Sequence, residues 1–336
     1  GPTTFGKKGI NPGEQENFPE VIEEEDIKLL NSSKENKEKV LAKEAEGFTE
    51  NKDPKLKRKQ WMTIIGTIIF IPISAQFLNL SDVVTWILIA LSIGILGVLL
   101  VMAGKQEEKP AKERLWVVVV LFIFHAMFWA LFEQAGGSIT LFTARNVDRI
   151  VMGSEVPASI FQFFNSLFIM LLAPVFSWMW IKLRNKGKEP STPMKFVLGL
   201  SLLAAGFAFI VLGSKYFATE GLVPVVFLVL MYLFHTMGEL NLSPVGLSMI
   251  TKLSPKKAVG FVMGAWFLSI ALANKMAGLI GELTASDDLG ETASKTETLA
   301  VYSNTYLIWG VAVVGGAALI LLLLVPKLRK WMNGIH

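Results

Sequence analysis

The hydrophobic positions of this chain come in long unbroken runs separated by short polar connections. Eight such runs lie over about 61–79, 83–103, 115–143, 157–181, 196–213, 222–250, 258–283 and 301–325. Each is close to the roughly 20 residues that a helix needs to cross the hydrocarbon layer of a bilayer. The connections alternate in charge. Lys55, Lys57, Arg58 and Lys59 precede the first run, and Lys105, Lys109, Lys112 and Arg114 follow the second. Lys182, Arg184, Lys186, Lys188 and Lys195 follow the fourth, Lys252, Lys256 and Lys257 the sixth, and Lys327, Arg329 and Lys330 the last. The intervening connections hold only Arg145, Arg149, Lys215 and Lys295. Because basic residues are retained on the cytoplasmic side, the pattern predicts an all-α polytopic membrane protein of eight transmembrane helices with both termini cytoplasmic.

The runs are not equivalent. The first two carry no central charge and are joined by a few residues around Leu80, so they read as a plain two-helix hairpin over 61–105. The region 106–330 holds the small and helix-breaking residues that let helices approach closely or line a cavity, among them Gly136, Gly137, Gly206, Gly238, Pro244, Gly246, Gly260 and Gly264. It reads as a six-helix bundle. Residues 1–60 form a third region, acidic in its first part around Glu23, Glu24, Glu25 and Asp26, and the expectation there is a solvated, partly disordered linker.

Composition narrows the function classes. The chain is 52% hydrophobic and only 18% charged, against about 25% charged in a soluble domain. Its net charge of +4 resides at helix ends, where topology requires it, so nucleic acid is not an expected partner. With three histidines and no cysteine, and with no metal-ligand spacing, nucleophile elbow or phosphate-binding loop, neither a metal nor an organic cofactor is expected. The chain begins Gly1-Pro2 rather than with Met, which reads as a processed, truncated or incomplete sequence.

The candidate chemistry starts with Glu239, in the middle of the segment 231–250, MYLFHTMGELNLSPVGLSMI. A carboxylate at that depth costs about 2.5–3.5 kcal/mol on insertion scales and persists where it faces a bundle interior, a water-filled cavity or a cation. Ser243, one helical turn on, shares its face. Pro244 has no N–H to donate and frees a carbonyl near position 240. Together these groups suit a protonated amine; pairing of Glu239 with a basic residue of a neighbouring helix is the alternative, and the two are compatible. Glu133 closes the aromatic run 128–132 just before Gly136-Gly137. It is intramembrane if the helix continues past the glycines to Phe142 and interfacial if it stops there. Gln162 and Asn165, a turn apart, suit either substrate hydrogen bonding or interhelical bonding. Trp266 suits packing or a cavity wall, and Lys275 snorkelling or a functional charge. His125 reads as a structural histidine ahead of a proton relay.

Three segments together resemble the proton-dependent oligopeptide transporter (POT/PTR) family of the major facilitator superfamily. The longest is GELNLSPVGLSMITKLSP (238–255), continuing through Gly260, Met263-Gly264 and Trp266-Phe267 to Asn274; the others are FWALFEQ (128–134) and PSTPMK (190–195), the latter after Ala173-Pro174. The resemblance covers about 114–330 and implies the C-terminal six-helix half of that fold. The hairpin 61–103 would be the two extra helices that bacterial members carry between their halves. It implies import of di- and tripeptides by alternating access, driven by the proton gradient, in the inner (plasma) membrane. Carried over by motif, Glu239 would bind the peptide amino terminus, Glu133 would form inter-half salt bridges, and Asn165, Ser243 and Trp266 would line the pocket. Two departures stand out. The family commonly has Asn-Pro where this chain has Asn165-Ser166, and its first-half Glu-x-x-Glu-Arg-Phe-type motif has no match here. The expectation is therefore a C-terminal portion that needs an N-terminal six-helix half, in the same or a separate chain. A same-fold carrier of nitrate or amino acids, and a non-transporting membrane scaffold or remnant, are the competing readings.

Overall fold

The computed structural model describes residues 54–284 and 293–335, and the leading segment read above as a solvated linker lies outside them. The chain divides at Asn79 and Leu80 into two units. The first contributes a single described helix, α1 (Pro54–Asn79).

The second unit holds the bundle. It comprises α2 (Ser81–Gly104), α3 (Lys109–Phe132), α4 (Ser138–Asn146), α5 (Phe163–Asn185) and α6 (Thr192–Tyr216). It continues with α7 (Val225–Leu253), α8 (Val259–Glu282), α9 (Lys295–Thr305) and α10 (Val314–Trp331). A π-helical stretch, Tyr306–Val313, joins α9 to α10 into one continuous rod. Seven of the apolar stretches are long and apolar enough to cross a membrane; the apolar part of α1, Gln60–Gln76, is shorter. The chain is a multi-pass membrane protein, as its hydrophobic runs predict.

Local sequence explains where the helices begin and end. Pro193 in the first turn of α6 starts that helix where its missing N–H is harmless. Ser294 and Glu297 form a reciprocal capping box at the start of α9. The third run is broken where consecutive glycines fall. α3 stops at Phe132, a 3₁₀ turn spans Glu133–Gly136, and α4 restarts at Ser138. This outcome lies between the two readings offered for Glu133: the helix neither runs straight through nor ends.

The core is centred on α6. Its glycines at 199, 206 and 213 recur every seven residues, and all three meet α7. A β-carbon at 199 would stand 3.1 Å from the Gly238 carbonyl, at 206 it would stand 2.3 Å from His235 Cδ2, and at 213 it would stand 2.6 Å from Phe227 Cγ. The ascending order on one helix meets the descending order on the other, so α6 and α7 are antiparallel and unusually close. α3 and α8 run parallel, since His125 meets Ser269 and, further along, Gln134 meets Ala277. On the side where α4 ends, Val147–Asp148 pairs with Val223–Pro224, and the buried Asn146 donates to the carbonyls of Gly221 and Lys295 at 2.9 and 2.7 Å. One amide thus ties three connections together.

Candidate functional site

Glu239 sits on α7 one residue from Gly238. That neighbour faces the α6 backbone, which turns Glu239 toward α5 instead. There Asn165 Nδ2 donates to Glu239 Oε2 at 3.0 Å and to Thr236 Oγ1 at 3.1 Å. The Thr236 hydroxyl donates in turn to the Tyr232 carbonyl at 2.7 Å. Asn165 is therefore fixed by two residues on one face of α7, three apart in sequence. Glu239 is half-buried, and among the described residues no Lys, Arg or His forms an ion pair with it. Its one charge-stabilising contact is a neutral amide.

Ser243 follows one turn along and is exposed, as is Pro244. Pro244 is accommodated within α7, and the helix runs on to Leu253. The Glu133 side chain is half-buried in the 3₁₀ turn and its carboxyl accepts no hydrogen bond among the described residues, but it lies near enough to Glu239 to act on it electrostatically. The two carboxylates thus share one region of the bundle.

The other candidates are distributed differently. Gln162, at the start of α5, donates to Thr140 Oγ1 of α4 at 2.7 Å and is exposed. That bond ties the turn before α5 to α4. Trp266 is 4% exposed and stacks on His125 with ring centroids 3.7 Å apart. Its far edge lies against Gly246, where a β-carbon would stand 2.6 Å from the indole. His125 is fully satisfied. Trp129 Nε1 donates to its Nε2 at 2.8 Å, and its Nδ1 lies 2.9 Å from Ser269 Oγ. Ser269 donates its own proton to the Trp266 carbonyl. Because indole only donates, Nε2 must be the acceptor, so the ring is neutral with its proton on Nδ1. Both ring nitrogens are thus engaged within the bundle. Lys275 is half-buried on α8 and has no hydrogen-bond or ion-pair partner among the described residues.

Two groups of residues escaped the sequence reading. Thr236 completes the Asn165–Glu239 cluster, and its signal was a three-residue spacing from Glu239. Gln134, 1% exposed, donates to the Ala277 carbonyl at 2.9 Å and accepts from Ser138 Oγ at 2.6 Å. Ser138 in turn receives the Tyr306 hydroxyl at 3.2 Å. That chain bridges α8, the glycine break and the π-helix. Gln134 and Ser138, four apart, were visible as a polar pair in an apolar run, but Tyr306 could not be linked to them without coordinates.

Comparison with known proteins gives a consistent result. A family model described as PTR2, POT family, matches residues 44–296. The peptide transporter YePEPT of Yersinia enterocolitica is 39% identical over 247 residues, covering 73% of this chain and 46% of that protein. Dipeptide and tripeptide permease B of Shigella dysenteriae is 32% identical over 268 residues, covering 80% of this chain and 54% of the permease. Among solved structures, a POT family transporter in complex with a thioalcohol-conjugated peptide superposes with a TM-score of 0.62, with 27% identity over 82% of this chain and 55% of that one. The chain spans about half the length of the curated relatives it matches.

Proposed function

This chain belongs to the POT family, and from that premise we propose that it supplies the C-terminal six-helix half of a proton-coupled importer of di- and tripeptides. The observation that carries the reading is Glu239. A carboxylate in mid-span is held by an amide and a neighbouring hydroxyl cluster, with no cation paired to it among the described residues. An unpaired charge in the hydrocarbon layer is unfavourable by several kcal/mol, so the site suits a cationic cargo group. The protonated amino terminus of a short peptide is a compact donor of that kind. Asn165 keeps the carboxylate oriented, and exposed Ser243 adds a hydroxyl one turn away. The half-buried Glu133 carboxyl, which accepts no hydrogen bond among the described residues, would meet a basic residue of an N-terminal half as the two halves rock about the site. Transport then needs that second half, from the same or a separate chain, in the inner membrane with both termini cytoplasmic. The energy source is the proton gradient, with no bound cofactor.

The test is Glu239→Gln in the two-halved transporter, reading equilibrium binding of a dipeptide and of its N-acetylated form. The free-amine peptide should lose at least about tenfold in affinity, or 1.4 kcal/mol, while the acetylated form, already weak, should barely change. Equal affinity of both peptides for the native protein and the variant would overturn the assignment.

A further inference from the structure

A cavity of about 210 Å³ lies between α2, α3 and α8 and shares no lining residue with the Glu239 cluster. Its walls include Ile95 and Leu99 of α2, Phe122 and Ala126 of α3, and Ala265 and Leu272 of α8. The lining is apolar except for two hydroxyls. That of Ser269 is already committed to His125 and the Trp266 carbonyl, and that of Ser92 is unpartnered. A space of this volume is too small for a helix, whose diameter with side chains is about 10–12 Å, and can take a flexible run of methylene groups.

Its depth is equally informative. At about 1.5 Å of rise per residue, the walls stand roughly 9–22 Å from Lys105 on α2, from Arg114 on α3 and from Lys257 at the entrance to α8. α2 and α3 are joined at this end by residues 105–108, and the parallel course of α3 and α8 brings Lys256 and Lys257 to it as well. One leaflet's hydrocarbon is about 15 Å thick, so the cavity runs from the inner part of the leaflet next to these basic ends across the bilayer midplane. Lys105, Lys109, Lys112, Lys256 and Lys257 are all exposed there. The acids at the same end are Glu107 and Glu108, exposed, and Glu113, which receives Asn333 Nδ2 at 3.0 Å. Together with half-buried Arg114 and exposed Lys252, the two connections carry an excess of positive charge.

We propose that this groove seats an acyl chain of an anionic phospholipid, whose phosphate is held by the lysines at the α2–α3 and α7–α8 connections. Basic pockets beside transmembrane helices attract anionic headgroups by about 1 kcal/mol per cation, and the apolar groove supplies the register. The groove floor carries Ala265 and Ser269, which flank Trp266, so a seated chain buttresses the wall on which His125 and Trp266 stack.

The experiment places the full chain in bilayer nanodiscs doped with phosphatidylglycerol or phosphatidylcholine, each bearing a diazirine on one acyl chain, and maps photo-adducts by peptide mass spectrometry. Phosphatidylglycerol should label the buried or half-buried lining residues Leu99, Phe122 and Leu268 several-fold more than the exposed Leu319 and Leu323, which report ordinary annular lipid. Ala126→Phe, and independently Leu268→Trp from the opposite wall, should abolish that excess while leaving Leu323 labelling unchanged. Charge reversal at Lys109, Lys112 and Lys256 should lower phosphatidylglycerol labelling to the phosphatidylcholine level. Groove labelling no higher than at Leu323, or unaffected by either filling variant, overturns the site. Equal labelling by the two lipids in the native chain overturns the headgroup assignment.

Discussion

Helices α5 and α6 follow one another in the chain and are both apolar enough to cross a bilayer, yet their surroundings are opposite. The most apolar stretch of the α5 span is 6% buried, whereas that of α6 is 61% buried. α6 has three glycines at seven-residue spacing and is clasped by α7 and α10; α5 has bulky residues on nearly every face and meets the bundle chiefly through α7. Where the surrounding solvent is itself hydrocarbon, apolarity does not draw helices together. Small residues and a few hydrogen bonds decide which helix is central. The peripheral helix is also the one that brings Asn165 to Glu239, so the candidate site is built at the seam between the tightest pair and a loosely held partner.

That comparison can be broken most sharply at Gly206. Its replacement by Ala would drive a β-carbon into His235, and overpacking of this kind should destabilise the bundle by about 3 kcal/mol, read as a lower unfolding temperature in detergent micelles. A neutral outcome would mean that the glycine stripe does not set the α6–α7 separation.

A smaller effect is expected where the two helices join. Glu189, in the connection between them, receives Lys195 Nζ at 2.6 Å and Arg184 Nε at 2.7 Å, and Lys195 lies 8% exposed with its ammonium over the Trp180 ring. Glu189→Ala strands that ammonium, and the lost charged hydrogen bonds should weaken the bundle by about 2 kcal/mol. The hydrogen bond from Arg184, helped by Lys195, holds the Glu189 carboxyl down at about 2, against an ordinary 4.5. A depressed folded-state value stabilises fully above the ordinary one. The contribution should therefore be constant at neutral pH and disappear as pH falls from about 4.5 toward about 2, which a pH series of melts would follow. Glu189→Ala should flatten that acid limb.

Tyr306→Phe removes the hydroxyl that reaches Ser138 and should lower stability by about 1 kcal/mol, with the Gln134–Ala277 bond retained. The smallest effect belongs to α5. Leu171 is 55% exposed, so Leu171→Ala should shift stability by less than about 0.5 kcal/mol. A loss comparable with Gly206→Ala would show that another protein surface, rather than lipid, covers this helix in the protein as prepared.

Much of the architecture was legible in the order of residues because the bilayer imposes simple rules. Length and apolarity mark a crossing helix, charge marks its ends, and a carboxylate in mid-run marks a site. Glu239 stood out on those grounds alone. So did the break at Gly136-Gly137, although whether the helix would stop or resume there depended on packing against α8 and the π-helix. His125 illustrates the limit. Trp129, four residues on, makes its ring neutral, but the partner of its Nδ1, Ser269, is 144 residues away.

The sequence by itself determined that this chain crosses the membrane repeatedly, which ends of its helices carry charge, and which carboxylate needs explaining, since each of these follows from the free energy of moving a residue between water and hydrocarbon. Tertiary structure alone decided that α6 is the hub, that Asn165 reaches Glu239 rather than Gln162 doing so, and that Trp266 is sealed against His125 and Gly246. Those are questions of which surfaces meet. Inside a bilayer the answer rests on steric fit between helices and on individual hydrogen bonds, which are set by positions far apart in the chain.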